Sequence, residues 1–205
     1  MAEIRSLVTL DGNPLAALDI ETTGAEGGYH EIIQIAVVPL DINLDPAENQ
    51  LPFYVNVRPN FPERAEPNAM RVHGISLDEL MTCGASQGQA VDWLYDYFTN
   101  LPLAWGKKLT PLAANWSFER SFLVPWLGND LFNEIFHHHP RDTMAMGISL
   151  NDQAAMMGRT QPFTYLSLSY MCSKFGITIQ GAHDALSDSL ATAKLYKAMM
   201  SSFSG

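Results

Sequence analysis

Two apolar runs near the amino terminus set the architecture. Leu15 to Ile20 (LAALDI) is short and turns polar only at its end, and Ile32 to Leu40 (IIQIAVVPL) is nearly unbroken. A run of that length, apolar on both faces, predicts a strand in the buried middle of a sheet. Leu51 to Val57 (LPFYVNV) predicts a third strand, stopped by Arg58-Pro59. Gly24 to Gly28, with three glycines, predicts the turn between the first two. Three strands so close together predict an antiparallel meander.

The period then changes. Ser76-Leu77-Asp78-Glu79 has the capping-box pattern and opens a short helix ending near Cys83-Gly84. Ser86 to Leu101 predicts a longer helix with Ala90, Trp93, Leu94, Tyr97 and Leu101 on one stripe. Leu109 to Asn115 predicts a fourth strand, followed by a helix from Ser117 to Trp126 that Pro125 kinks or ends. His137 to Arg141 predicts a short fifth strand, and Asp142-Thr143 opens a helix reaching about Met157. Thr164 to Phe175 predicts a helix closed by Gly176, and the last helix runs from Asp184 to about Met200. No repeat, low-complexity segment or linker divides the chain. The expectation is one domain over residues 1–205, of α/β class, with a mixed five-stranded sheet flanked by helices.

Composition narrows the class. A chain of 205 residues with 47% hydrophobic and 17% charged residues is ordinary for a globular protein. Arg5, Thr9 and Asp11 interrupt any secretory h-region, and no apolar run approaches a membrane span. Cys83 and Cys172 lack metal-binding spacing and read as free thiols, so a cytoplasmic location is expected. The net charge of −10 argues against tight, non-specific coating of nucleic acid. It leaves room for a site that meets a strand end through bound cations, with modest affinity and low processivity.

The candidate chemistry lies where apolar segments end. Asp19 and Glu21 share one face of the first strand's end, and two such like charges favour a cation between them. Asp188 aligns with Ala185, Ala191, Leu195 and Met199 on a face turned to the sheet, where an unpaired carboxylate is costly. Asp184 reads as a helix cap. His183 lies five residues before Asp188 and titrates in the range that suits a base acting on water. With Glu119, the four carboxylates predict a pair of divalent cations, roughly 3.5–4 Å apart, gripping a phosphodiester. All-oxygen ligands suit Mg²⁺ or Mn²⁺ and disfavour zinc.

The segments LDIETTG (18–24), NWSFERSFL (115–123) and HDALSD (183–188) resemble the motifs of the DEDDh 3′–5′ exonucleases. That superfamily is typified by DNA polymerase III proofreading subunits and ribonuclease T. Asn68 to Ile75 and Arg141-Asp142-Thr143 resemble positions flanking the family's site. The resemblance implies a ribonuclease H-like fold, two divalent ions and release of nucleoside 5′-monophosphates from a 3′ end. It also implies that Thr22, Thr23 and Gly24 contact the terminal nucleotide, with Asn115 beside the site. One departure stands out: the family carries aspartate where this chain has Glu119. One methylene displaces a carboxylate by up to about 1.5 Å, and misplacement of about 1 Å can cost on the order of a hundredfold. Either the backbone adjusts, with a bias to Mn²⁺, or the site is weakened. The other four residues are intact, which favours activity.

Other features read more plainly. Three consecutive histidines, His137 to His139, cannot share one metal in a strand and are expected at a surface turn. His73 supports a turn, with a substrate contact as its second reading. Trp116 is open between base stacking and core packing. The expected function is a metal-dependent 3′–5′ exonuclease acting on single-stranded ends, DNA ahead of RNA. The alternatives are an exoribonuclease trimming RNA tails or short oligonucleotides, and a silent strand- or protein-binding module. No membrane partner is expected. Small members of the family often pair, which leaves a homodimer open.

Overall fold

A computed structural model describes residues 11–202. Its sheet has five strands in the order β3-β2-β1-β4-β5. Strand β1 (Leu15–Thr22) pairs antiparallel with β2 (Ile32–Pro39), which pairs antiparallel with β3 (Phe53–Asn56). On the other side β4 (Thr110–Ala113) runs parallel to β1, and β5 (Arg141–Asp142) parallel to β4. The meander and the mixed sheet are as expected. All eight positions of β2 are buried, as its unbroken apolar run requires.

Two ends fall short of the expectation. β3 excludes Leu51, which is 85% exposed, and β5 begins only at Arg141, because the histidines before it bend. The helices are α1 (Pro67–His73), α2 (Leu77–Cys83), α3 (Gln87–Asn100), α4 (Trp116–Leu127), α5 (Asn129–Ile135), α6 (Thr143–Met156), α7 (Leu168–Lys174) and α8 (Ala185–Ser202). Ser76 caps α2, and Ser86 with Gln89 closes a full capping box on α3. Of the stripe expected on α3, Trp93 instead faces out, 48% exposed, while Ala90 and Leu94 are buried. α7 starts later than expected because Ser167, not Thr164, is its cap.

Alternation along β1 decides where the site can lie. Ala16, Leu18 and Ile20 pack into the main core with residues of α3, α4 and α5. Leu15 and Ala17 face the opposite way, against Ala193 and Tyr196 of α8. By the same two-residue period Asp19 and Glu21 point towards α8, where Asp188 waits.

Candidate active site

Asp19 and Glu21 lie in the second half of β1, Glu21 just before a register shift between Glu21 and Thr22. Burial pushes the Asp19 carboxyl well above the usual range. The charges of Glu119, Glu21, Asp188 and Asp184 push it further. Burial likewise pushes Glu21 up to about 8, with Asp188 and Asp184 adding to it. Three stretches of chain, far apart in sequence, therefore converge on Asp19.

Glu119 comes from the first turns of α4 and is 3% exposed. Burial pushes its carboxyl up to about 8, against hydrogen bonds from the backbone N–H groups of Glu119 and Asn115. Nearby Asp142 raises it too. Asp142 also fixes the local frame: one carboxylate oxygen accepts the Trp116 N–H at 2.9 Å, and the other caps α6 through the Ala145 N–H at 2.8 Å.

Asp188 lies one turn into α8, 8% exposed, among the buried Ala185, Ala191, Leu195 and Met199. Burial raises its pKa, opposed by the His183 N–H, which donates to its Oδ2 at 3.1 Å. His183 itself is exposed and holds a left-handed backbone, φ 66°. That conformation is uncommon for a residue other than glycine. It turns the chain into α8 and lays one ligand atom each of Glu21, His183 and Asp188 within 4.8 Å of one another.

A polar brace seats the start of α8. Gln34, a lone amide in the buried strand β2, accepts the Ala185 N–H at 2.8 Å. Its Nε2 donates to Tyr54 Oη at 2.9 Å and Asn56 Oδ1 at 2.8 Å. The Tyr54 hydroxyl in turn donates to Asp184, whose other oxygen accepts the Ser187 N–H at 3.0 Å. Asp184 thus caps α8, as its sequence position suggests. Gln34 and Tyr54 were not anticipated, although one amide inside IIQIAVVPL was a visible signal.

The donor set suits a hard cation. Glu119 Oε2 and Asp188 Oδ1 are buried with no hydrogen-bond partner. A buried acceptor left so is costly, and so is the mutual repulsion of four neighbouring carboxyls. Cations bound among the oxygens would relieve both. Asp19, Glu21, Glu119 and Asp188 are the side chains able to hold them.

The residues expected to touch substrate are placed less uniformly. Thr22 and Thr23 are buried, and both hydroxyls serve the loop. Thr22 donates to the Gly24 carbonyl at 2.7 Å, and Thr23 accepts the Glu31 N–H at 2.9 Å. At Gly24 the side-chain direction is filled by the His30 ring, 2.4 Å from where a Cβ would stand, so glycine is required there. Asn115 sits at the head of α4, with its side chain in no capping bond. Trp116 is 8% exposed, its ring stacked 6.1 Å from Phe132, so core packing is the outcome. His73 ends α1, and its Nδ1 accepts the Ile75 N–H at 3.1 Å. Burial lowers its pKa, the nearby Thr22 backbone opposes this, and His183 lowers it further, while the buried His73 Nε2 has no hydrogen-bond partner. The turn-supporting role and a place beside the site are thus both present.

The model of the exonuclease family matches residues 16–100 and 113–196, which include every residue of the cage. The chain belongs to the exonuclease family. Comparison with curated proteins gives no match. Among solved structures, it is similar to cell-death related nuclease 4, with 19% identity and a TM-score of 0.71, covering 92% of this chain and 64% of that one. It is also similar to the nuclease domain of 3′hExo, a DEDDh family member bound to rAMP, with 21% identity and a TM-score of 0.64, covering 92% of each chain. The third is E. coli exonuclease I with a dT13 oligonucleotide, with 18% identity and a TM-score of 0.64, covering 89% of this chain and 40% of that one. The chain thus spans less than two thirds of several structures it matches. The fold is that of the ribonuclease H-like exonucleases. No helix among the described residues is long and apolar enough to cross a membrane.

Proposed function

We propose that this protein is a metal-dependent 3′–5′ exonuclease that shortens single-stranded ends, DNA ahead of RNA, and releases nucleoside 5′-monophosphates. The observation that carries the reading is the convergence of Asp19, Glu21, Glu119 and Asp188, two of them with orphaned buried oxygens, beside an exposed histidine. Two divalent cations held by these four carboxylates, Mg²⁺ or Mn²⁺, would supply the positive charge that admits a phosphodiester and stabilises its transition state. His183 stands at the mouth of the cage, where its ring can take a proton from the attacking water. The Asp188 oxygen that receives the His183 N–H fixes the main chain behind that ring. Gln34, Tyr54 and Asp184 hold the helix start from which both residues project. The burial of Glu119 in the first turn of α4, with Oε2 unpaired, supports its place among the ligands despite its added methylene.

An exoribonuclease is the second reading, favoured by the likeness to a nuclease domain bound to rAMP over 92% of both chains. Incubating 5′-labelled DNA and RNA of one sequence with Mg²⁺ or Mn²⁺ separates the two. A ladder shrinking from the 3′ end, faster on DNA, is the expected result. A faster ladder on RNA selects the second reading, and no product with either metal would leave a binding module instead.

A further inference from the structure

The three consecutive histidines take the turn expected of them and do not start the fifth strand. His137 to His139 make a bend before β5, and the His139 N–H donates back to His137 Nδ1 at 3.3 Å. The rings consequently gather, with centroids 4.4 Å (137–138), 5.2 Å (137–139) and 4.0 Å (138–139) apart. One ligand nitrogen from each lies within 4.8 Å of the others. The alternation that would keep neighbouring side chains apart has been removed by the bend.

A second observation points the same way. His137 is buried, 7% exposed, and its Nε2 lies 3.0 Å from Asp11 Oδ2. Because Nδ1 accepts a hydrogen bond, the network places the proton of the neutral ring on Nε2, donated to the carboxylate. A carboxylate behind a histidine is the arrangement that orients metal-ligating imidazoles, and an ion bound at Nδ1 displaces the long 3.3 Å hydrogen bond from the His139 N–H. The lone pair of Nδ1 here faces the bend that carries the other two rings. Asp11 is itself anchored, its carbonyl accepting from the Lys107 ammonium.

We propose that His137, His138 and His139 form a second metal site, with Asp11 behind His137, that takes a borderline ion of the Zn²⁺ class. Zinc–imidazole bonds of about 2.0–2.1 Å require the three nitrogens to draw somewhat closer than they stand. His138 and His139 are exposed, so their rings turn inward without displacing the core. Imidazole nitrogens select Zn²⁺, Ni²⁺ or Cu²⁺ over Mg²⁺, so this site and the carboxylate cage divide the available ions between them. Water completes the coordination. The position is remote from the cage. The His137 N–H donates to the Leu109 carbonyl at the start of β4, and Asp11 precedes the start of β1, whereas the carboxylates cluster around the far end of β1. An ion here clips the segment entering β1 to the one entering β5.

The test is equilibrium dialysis of metal-stripped protein against micromolar Zn²⁺ in millimolar Mg²⁺. One Zn²⁺ per chain should be retained, and the His138→Ala/His139→Ala double variant should lose it. Asp11→Ala should weaken retention about 10- to 100-fold. Asp19→Asn/Asp188→Asn, which disables the cage, should keep the ion. No retained Zn²⁺, full retention in the double histidine variant, or loss in the cage variant would each overturn the proposal. None of these readouts depends on whether the protein cleaves nucleic acid.

Discussion

Glu21 and Gln34 stand opposite one another across the β1–β2 ladder, and Gln34 reaches from there to the Ala185 N–H at the start of α8. One cross-strand pair therefore carries a cage carboxylate on one strand and the anchor of the opposing helix on the other. Replacing the amide by an apolar side chain of similar size strands the Ala185 N–H and releases Tyr54. A buried donor left unpaired costs about 1–3 kcal/mol. Gln34→Leu should lower the melting temperature and cut kcat about tenfold with KM nearly unchanged. An intact kcat in the folded variant would remove the brace from the catalytic account.

His183 acts on a proton, not on the strand, if the proposed function holds. His183→Ala should lower kcat by about 10²–10⁴-fold. Affinity for an uncleavable oligonucleotide should change far less. Equal losses in both would make His183 a binding residue.

Glu119 is seated as a glutamate. Its carboxylate is buried at the head of α4 with Oε2 free of any partner. Glu119→Asp pulls that free oxygen back by up to about 1.5 Å. A loss of about tenfold or more in kcat is expected in Mg²⁺, and Glu119→Gln should lose more. A gain on shortening the side chain would show that the natural residue is a handicap.

The cage also predicts how stability follows pH. Glu21 and Glu119 hold their protons up to about 8 when folded, against 4.5 when free. Between those values the folded state binds more protons than the unfolded chain, so stability falls as pH rises. For Glu119, almost wholly buried, the slope reaches at most about 1.4 kcal/mol per pH unit. Metal-stripped protein should therefore melt lower at pH 8 than at pH 5. Saturating Mg²⁺ or Mn²⁺ should restore more stability at pH 8, because the ions replace those protons. Melting curves across that range, with and without metal, measure both. A metal-free protein equally stable at the two pH values would mean that burial does not hold protons on these carboxyls.

Much of this was legible in the chain. The D-x-E at the end of an apolar strand places two carboxylates on one face, and the stripe through Asp188 turns a third towards them. Those inferences use fixed periods, and the backbone obeys them. The helices Pro67–His73 and Asn129–Ile135 were missed because seven residues hold too few turns for a stripe to emerge. Gln34 was legible only as an anomaly, since its partners lie 22 and 151 positions away in sequence. The histidine run was read both as the start of a strand and as surface or turn residues, and the bend that the His139 N–H closes onto the His137 ring bears out the turn. Long-range polar pairing and local turns are the features that hydrophobic periodicity does not encode.

The left-handed turn at His183 carries a last consequence. Only the main chain of this residue is tied down, while the imidazole stands in solvent. A proton received there can leave for bulk water in one hop, with no relay of interior groups. Recovery between turnovers would then follow the buffer outside, not the interior of the protein.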